Sequence, residues 1–224
     1  MIKLPHIEQI ENAKQKNVWD FGNQILYELC KSNFRHDKDE LILTKVLFIG
    51  RIYAAAIERR KTVTKDINDN FYINTVTQTF KESEIDKYLD DLKLIKNLNE
   101  DNIQLVLQTH FYLTKIINEI TALNKRSFCS KYLHFHLPEL FYIYDSRVVT
   151  ALRQFTSDTP NDLKPYIDNK NIDIEYAKFF CKCYDLKRQI QNHYKIDLTN
   201  RQLDNLLIEV ANKQNSEKKQ RKNE

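Results

Sequence analysis

Apolar residues recur at three- and four-residue spacing along most of the chain, which is the pattern of amphipathic α-helices. One stripe covers residues 19–30 and a second covers residues 41–60. The same spacing predicts helices over residues 85–95, from 99 to about 123, and from 173 to 194. The pattern therefore favours an all-α fold, with Trp19 in its core.

Residues typical of helix ends and loops divide this pattern. Ser127 is expected to cap a short helix, and Asp145 is expected to cap the next one. Residues 61–81 cluster Thr, Asn and Asp, which indicates a loop with one short element. Thr199 and Gln202 match a capping box for the last helix, which is expected to end near Ala211. The charged, apolar-free residues 213–224 are predicted to form a disordered basic tail.

Composition supports the helical interpretation. The chain of 224 residues contains only two glycines, whereas sheet proteins need glycine in their hairpin turns. A hydrophobic content of 42% is enough for a sizeable core without disulfides or metal. The four cysteines are therefore expected to be reduced thiols.

No apolar run suits a signal peptide or a transmembrane helix. The longest apolar stretch, residues 46–57, is interrupted by Arg51. We therefore expect a cytoplasmic protein that has no membrane partner. The net charge of +4 is mild, but residues 125–153 carry five basic residues against two acidic ones. Such a local excess fits a phosphate-binding surface, and it also fits an ordinary solvated face.

The same basic segment contains the residues that suggest chemistry. Lys131 lies within an apolar helix rich in aromatic residues, and Asp145 follows at the start of the next helix. A lysine among aromatic neighbours loses hydration, which favours the neutral amine as a nucleophile. A carboxylate at a helix N-terminus is held ionised by the terminal N–H groups. By spacing alone, a surface ion pair remains the alternative.

The run S-K-Y-L-H-F-H, followed by Y-D-S-R-V, resembles the helix-hairpin-helix DNA glycosylase superfamily, specifically bacterial proteins with an 8-oxoguanine DNA glycosylase fold. The segments I-G-R-I-Y-A-A-A-I-E-R-R (49–60) and L-T-N-R-Q-L-D (198–204) are also similar to that group. This resemblance implies one domain over residues 1–212, built as two helical lobes around a cleft.

The resemblance also implies an activity, in which Lys131 attacks the sugar of a modified purine nucleotide in DNA and forms a Schiff base. Asp145 would support the cationic sugar, and the reaction would need neither a cofactor nor a metal. Unlike the family's hairpin, this chain has no glycine after Gly50, which leaves duplex binding and base choice open. Related proteins occur beside bacterial antiviral genes, so the first alternative is a nucleic-acid- or nucleotide-binding protein with lost or changed activity and with partner proteins in a defence system. A second alternative is a plain helical interaction module.

Several residues near these motifs are candidates for contact with DNA or the modified base. The substrate-binding candidates are Phe135, His134, His136, Tyr144, Arg147, Arg51 and Tyr53. Arg147 could equally pair with Asp145 or bind a phosphate. The two histidines and Cys129 suggest zinc only weakly, because residues two apart on a helix point to different sides.

Overall fold

The computed structural model describes residues 3–59, 61–62 and 68–223, and every regular element within these ranges is helical. The predicted all-α fold is therefore confirmed. The α-helices are α1 (Ile7–Lys14), α2 (Val18–Ser32), α3 (Asp39–Ile52), α4 (Asn68–Asn70), α5 (Thr77–Glu82), α6 (Ile85–Lys93), α7 (Glu100–Thr121), α8 (Arg126–His136), α9 (Ser146–Leu152), α10 (Ile174–Tyr194) and α11 (Asn200–Asn223). A π-helical stretch, Phe71–Val76, joins α4 to α5, and a 3-10 helix spans Asn161–Tyr166.

The chain ends helices with few glycines because other residues adopt the left-handed conformation. Ala54, Ala122 and Lys195 have φ values of 52°, 55° and 59°, and they follow α3, α7 and α10. Glycine is the usual residue at such positions, because a Cβ atom makes this conformation unfavourable. The ends of these helices therefore carry no glycine signal in the sequence.

Two predicted boundaries around α3 are wrong. The second apolar stripe continues to residue 60, but α3 ends at Ile52. Residues 68–81, predicted to lie mainly in a loop, are helical, and residues 63–67 of that loop lie outside the described residues. Tyr72, Val76 and Phe80 are buried at four-residue spacing, and this burial outweighs the weak helix propensity of their Thr and Asn neighbours. The π-helical stretch lengthens the apolar period locally, which hides the 3.6-residue pattern.

The chain divides into two compact units. Within the described residues, the first, which we call the Lys131 unit, comprises residues 17–141 and 170–173. The second, the Asp145 unit, comprises residues 3–16, 142–169 and 174–223. The cleft predicted between two lobes stays a prediction, and each unit is described by itself below.

Helix α8 is central to the Lys131 unit, where it packs against α2, α3 and α7. Every residue of α8 from Phe128 to His136 is buried, so the helix has no solvated face along this length. Helix α7 begins at the predicted position, because the Asn99 side chain accepts a hydrogen bond from the Asp101 amide at 3.1 Å. The long α7 thus forms a buried support for the helix that carries Lys131.

The outer helix α2 buries a different face from the one predicted. Asn23, Leu26 and Cys30 are buried, whereas Trp19 is 62% exposed and Ile25 is also exposed. The prediction that Trp19 belongs to the core is therefore wrong. The packed face of α2 includes a polar residue, so hydrophobicity alone does not identify it.

In the Asp145 unit, α11 packs against α1 and α9. The predicted capping box is confirmed, since Thr199 and Gln202 exchange backbone-to-side-chain hydrogen bonds of 2.9 and 3.1 Å. The helix continues past Ala211 to Asn223, so its predicted end is wrong, whereas disorder of residues 213–224 stays a prediction. Glu, Lys, Gln and Arg are good helix formers, and a helix already nucleated by buried leucines extends through them without a new nucleation cost.

Among the described residues, no helix is both long and apolar enough to cross a membrane.

Candidate active site

Lys131 lies on α8 with its side chain in the interior of its unit, and only 3% of the residue is exposed. Its amine donates to the Ser127 hydroxyl at 2.8 Å and to the Tyr53 carbonyl at 3.4 Å. Both of these acceptors are uncharged, and the amine has been withdrawn from water. Lysines that act as nucleophiles in enzymes are found in this kind of environment.

Ser127 has a different role from the predicted one. Helix α8 begins two residues earlier than predicted, at Arg126, and Lys125 occupies the cap position without a side-chain hydrogen bond. The Ser127 hydroxyl, one turn before Lys131, accepts from the lysine amine instead. This contact fixes the lysine side chain along the axis of its own helix.

The Tyr53 carbonyl reaches the amine because of a tight turn at the end of α3. Ala54 is left-handed, and the Ala55 amide donates to the Gly50 carbonyl at 2.7 Å. A Cβ atom on Gly50 would lie 3.2 Å from the Cα atom of Ala56, so glycine permits this close approach. The turn leaves the Tyr53 carbonyl, at the negative end of the helix dipole, to accept from Lys131.

Two tyrosine rings pack against Phe135, which lies one turn after Lys131 on α8. The Phe135 ring lies 4.9 Å from the Tyr27 ring and 5.2 Å from the Tyr53 ring, measured between centroids. Phe135 is buried, whereas both tyrosines are half-buried. Two of the substrate-binding candidates, Tyr53 and Phe135, are thus in ring contact, and Tyr53 also touches Lys131.

His134 and His136 are buried, and both nitrogens of each ring have protein partners. His134 Nδ1 lies 2.8 Å from the Phe141 carbonyl, and its Nε2 lies 2.7 Å from the Tyr27 hydroxyl. His136 Nδ1 lies 2.8 Å from the Tyr132 carbonyl. A substrate contact through either ring would break one of these hydrogen bonds, and in these positions the histidines tie α8 to its neighbours.

A buried polar cluster beneath α8 was not foreseen. The fully buried Lys45 amine donates to the Asn33 and Arg35 carbonyls at 2.9 and 3.1 Å and lies 3.3 Å from Nε2 of His136. Burial lowers the pKa of Lys45 to about 8. The sequence does contain a signal for this buried lysine. Lys45 lies three residues after Ile42 in the apolar stripe of α3, where an apolar residue is expected.

His36 extends this cluster towards α6. Its Nδ1 and Nε2 atoms each lie 2.6 Å from an oxygen, on Asp86 and on the Tyr132 hydroxyl respectively. Burial lowers the pKa of His36 and lowers that of His136 further, and Lys45 adds to both effects. Both rings are therefore neutral at pH 7, and the cluster connects α8 to α3 and α6.

Arg51 and Glu58, both in the motif at 49–60, form an ion pair of 2.8 Å. Glu58 is buried and also accepts from the Tyr72 hydroxyl at 2.5 Å, whereas the Arg51 side chain is half exposed. Burial and the Glu58 carboxylate raise the pKa of Tyr72. The pair gives Arg51 a fixed orientation at the surface, as expected for an arginine that contacts a phosphate.

In the Asp145 unit, the predicted cap of α9 is confirmed. The Asp145 carboxylate accepts from the Arg147 amide at 2.9 Å, and the Arg147 Nε atom lies 3.4 Å from the same oxygen. Of the two alternatives for Arg147, the structure shows the ion pair. Tyr144 is half-buried and packs edge-on against Phe179 at 5.1 Å.

The predicted site residues are thus divided between the two units. Lys131, Arg51, Tyr53, Phe135 and the two histidines of α8 belong to one, whereas Asp145, Tyr144 and Arg147 belong to the other. Within the described ranges, no group of three or more His, Cys, Asp or Glu side chains could hold a metal ion.

Comparison with protein-family models, with curated proteins and with solved structures finds no match for this chain.

Proposed function

We propose that this chain is a lysine-dependent DNA glycosylase and abasic-site lyase that removes an oxidised or modified purine. The observation that carries the proposal is the buried Lys131 amine, which is held by the Ser127 hydroxyl and the Tyr53 carbonyl. The resemblance of the sequence around Lys131 to the glycosylase superfamily supports it.

The proposed reaction begins when the neutral Lys131 amine attacks C1′ of the damaged nucleotide. The bond between C1′ and the base nitrogen breaks, and the base leaves with the bonding electron pair and takes up a proton. The aminal opens to a Schiff base between Nζ and C1′, and loss of a C2′ proton then expels the 3′ phosphate by β-elimination. Water finally hydrolyses the Schiff base and returns the free amine.

The resemblance gives Asp145 the task of supporting positive charge on the sugar as the base departs. A carboxylate held in place by a helix N-terminus suits this task, because it stabilises developing charge without reorganisation. The target base must also leave the DNA stack to be reached by a buried amine.

The test is covalent trapping. The protein is incubated with an oligonucleotide containing 8-oxoguanine, and borohydride is added to reduce any Schiff base to a stable secondary amine. We expect an adduct with the wild-type protein and none with Lys131→Gln. Lys115→Gln, which changes an exposed lysine on α7, is the matched control and should retain the adduct. Circular dichroism of both variants checks that the fold is kept.

The absence of an adduct in the wild-type protein, or its persistence in Lys131→Gln, contradicts the proposal. Retention of DNA without an adduct supports the second candidate, a nucleic-acid-binding protein of a defence system. The exposed Arg51 favours that candidate over a plain interaction module, because its pairing with Glu58 orients a guanidinium suited to a phosphate.

A further inference from the structure

Tyr53, whose carbonyl accepts from Lys131, also contacts the side-chain amide of Asn23 through its hydroxyl. Asn23 lies on the packed face of α2 and is only 3% exposed. Its oxygen accepts a hydrogen bond from the Tyr53 hydroxyl, but its buried nitrogen has no hydrogen-bond partner within the described residues. Such an unsatisfied buried donor is rare in proteins, because it lowers the stability of the fold.

Tyr53 connects this donor to the proposed nucleophile. Its carbonyl accepts from the Lys131 amine at 3.4 Å, its hydroxyl donates to the Asn23 oxygen, and its ring contacts Phe135 at 5.2 Å. With the Tyr53 hydroxyl on its oxygen, the N–H₂ group of Asn23 has no partner among the described residues. Tyr53 therefore contacts the Lys131 amine, the Asn23 amide and the Phe135 ring.

The chemistry of these groups defines what they would bind. Aromatic rings stack on planar heterocycles, and an oriented N–H₂ group needs an oxygen or ring nitrogen as acceptor. Asparagine is a common partner for purine edges for this reason. A sugar or phosphate also offers hydrogen-bond acceptors, but it has no planar ring to stack on the aromatic side chains.

We propose that Asn23 determines base specificity, by donating a hydrogen bond from Nδ2 to a carbonyl oxygen or ring nitrogen of the purine whose sugar is attacked by Lys131. This inference rests on the proposed function. Asn23 acts only on the base, so it contributes to base removal but not to Schiff-base formation on a sugar that has already lost its base.

The experiment compares two oligonucleotides, one with 8-oxoguanine and one with an abasic site at the same position. In Asn23→Leu, which keeps the size of the side chain and removes the donor, we expect 8-oxoguanine excision to slow by about 10- to 100-fold. Borohydride trapping on the abasic oligonucleotide should stay within about 2-fold of wild type, because this oligonucleotide has no base for Asn23 to contact. Gln24→Leu, at the neighbouring exposed position of α2, should change neither rate.

A purely structural role for Asn23 gives a different set of results. Because leucine removes an unsatisfied buried donor, Asn23→Leu should unfold at the same or a higher urea concentration than wild type. Excision of 8-oxoguanine by Asn23→Leu at the wild-type rate overturns the role of Asn23. Absence of excision by the wild-type protein contradicts the proposed function, and the role of Asn23 is overturned with it. An equal loss on both oligonucleotides overturns that role too. Failure of the wild-type protein to trap the abasic oligonucleotide instead overturns the proposed function itself.

Discussion

Acid should destabilise the Lys131 unit through its buried histidines, among them His110 on α7. His110 is fully buried, and this burial lowers its pKa to about 3, although the nearby Asp173 carboxylate acts in the opposite direction. Because the folded-state pKa lies below the unfolded value of about 6.5, the unfolded chain binds the proton more tightly. The stabilisation is therefore complete above about pH 6.5 and is lost as the pH falls towards 3.

The size of the effect follows from the difference in pKa. Between pH 7.5 and pH 5, His110 takes up a proton in the unfolded chain over about 1.5 pH units, but it stays unprotonated in the folded protein. This difference lowers the free energy of unfolding by about 2 kcal/mol from His110 alone. His36 and His136 also have lowered pKa values and act in the same direction. Carboxylates titrate at lower pH, so this window reports mainly on histidines.

The assay is urea unfolding followed by circular dichroism at a series of pH values from 7.5 to 5. The free energy of unfolding should fall by at least about 2 kcal/mol in the wild-type protein. In His110→Gln, which cannot titrate, the fall should be smaller by about that amount. His193→Gln, which changes an exposed histidine on α10, should keep the wild-type slope. Equal slopes in His110→Gln and wild type would refute the reasoning.

Three further predictions concern other buried or strained groups. Ala122→Gly should raise the free energy of unfolding by about 0.5–1 kcal/mol, because glycine relieves the left-handed strain at the end of α7; an unchanged or lower melting temperature contradicts this. The pKa of Lys45 is lowered to about 8, so the unfolded chain binds its proton more tightly between pH 8 and 10.5. The free energy of unfolding of the wild-type protein should therefore rise over this range by up to about 3 kcal/mol more than that of Lys45→Met, and parallel pH profiles contradict this expectation. Asp173→Asn should lower the free energy of unfolding by about 1–2 kcal/mol, because the carboxylate is buried and its two oxygens accept from Arg126 Nε at 2.6 and 2.7 Å. Urea titration at pH 7 measures this loss, and an unchanged midpoint opposes it.

The sequence by itself determined the helical class, because apolar spacing and the scarcity of glycine are local properties. It also determined those helix starts that carry a polar cap, as Asn99, Asp145 and Thr199 show. A cap acts on amides only two or three residues away, so its signal is complete within a short window of sequence. The candidate lysine was also visible, since Lys131 interrupts an apolar helix.

Only the tertiary structure decided which residues surround that lysine. The Tyr53 carbonyl reaches Lys131 through a turn in which Ala54, not a glycine, is left-handed. The Asn23 amide is buried because one particular face of α2 packs inward, whereas hydrophobicity alone favoured Trp19 for the core. These contacts join residues far apart in the chain, and their formation depends on the packing of whole helices, which no local pattern encodes.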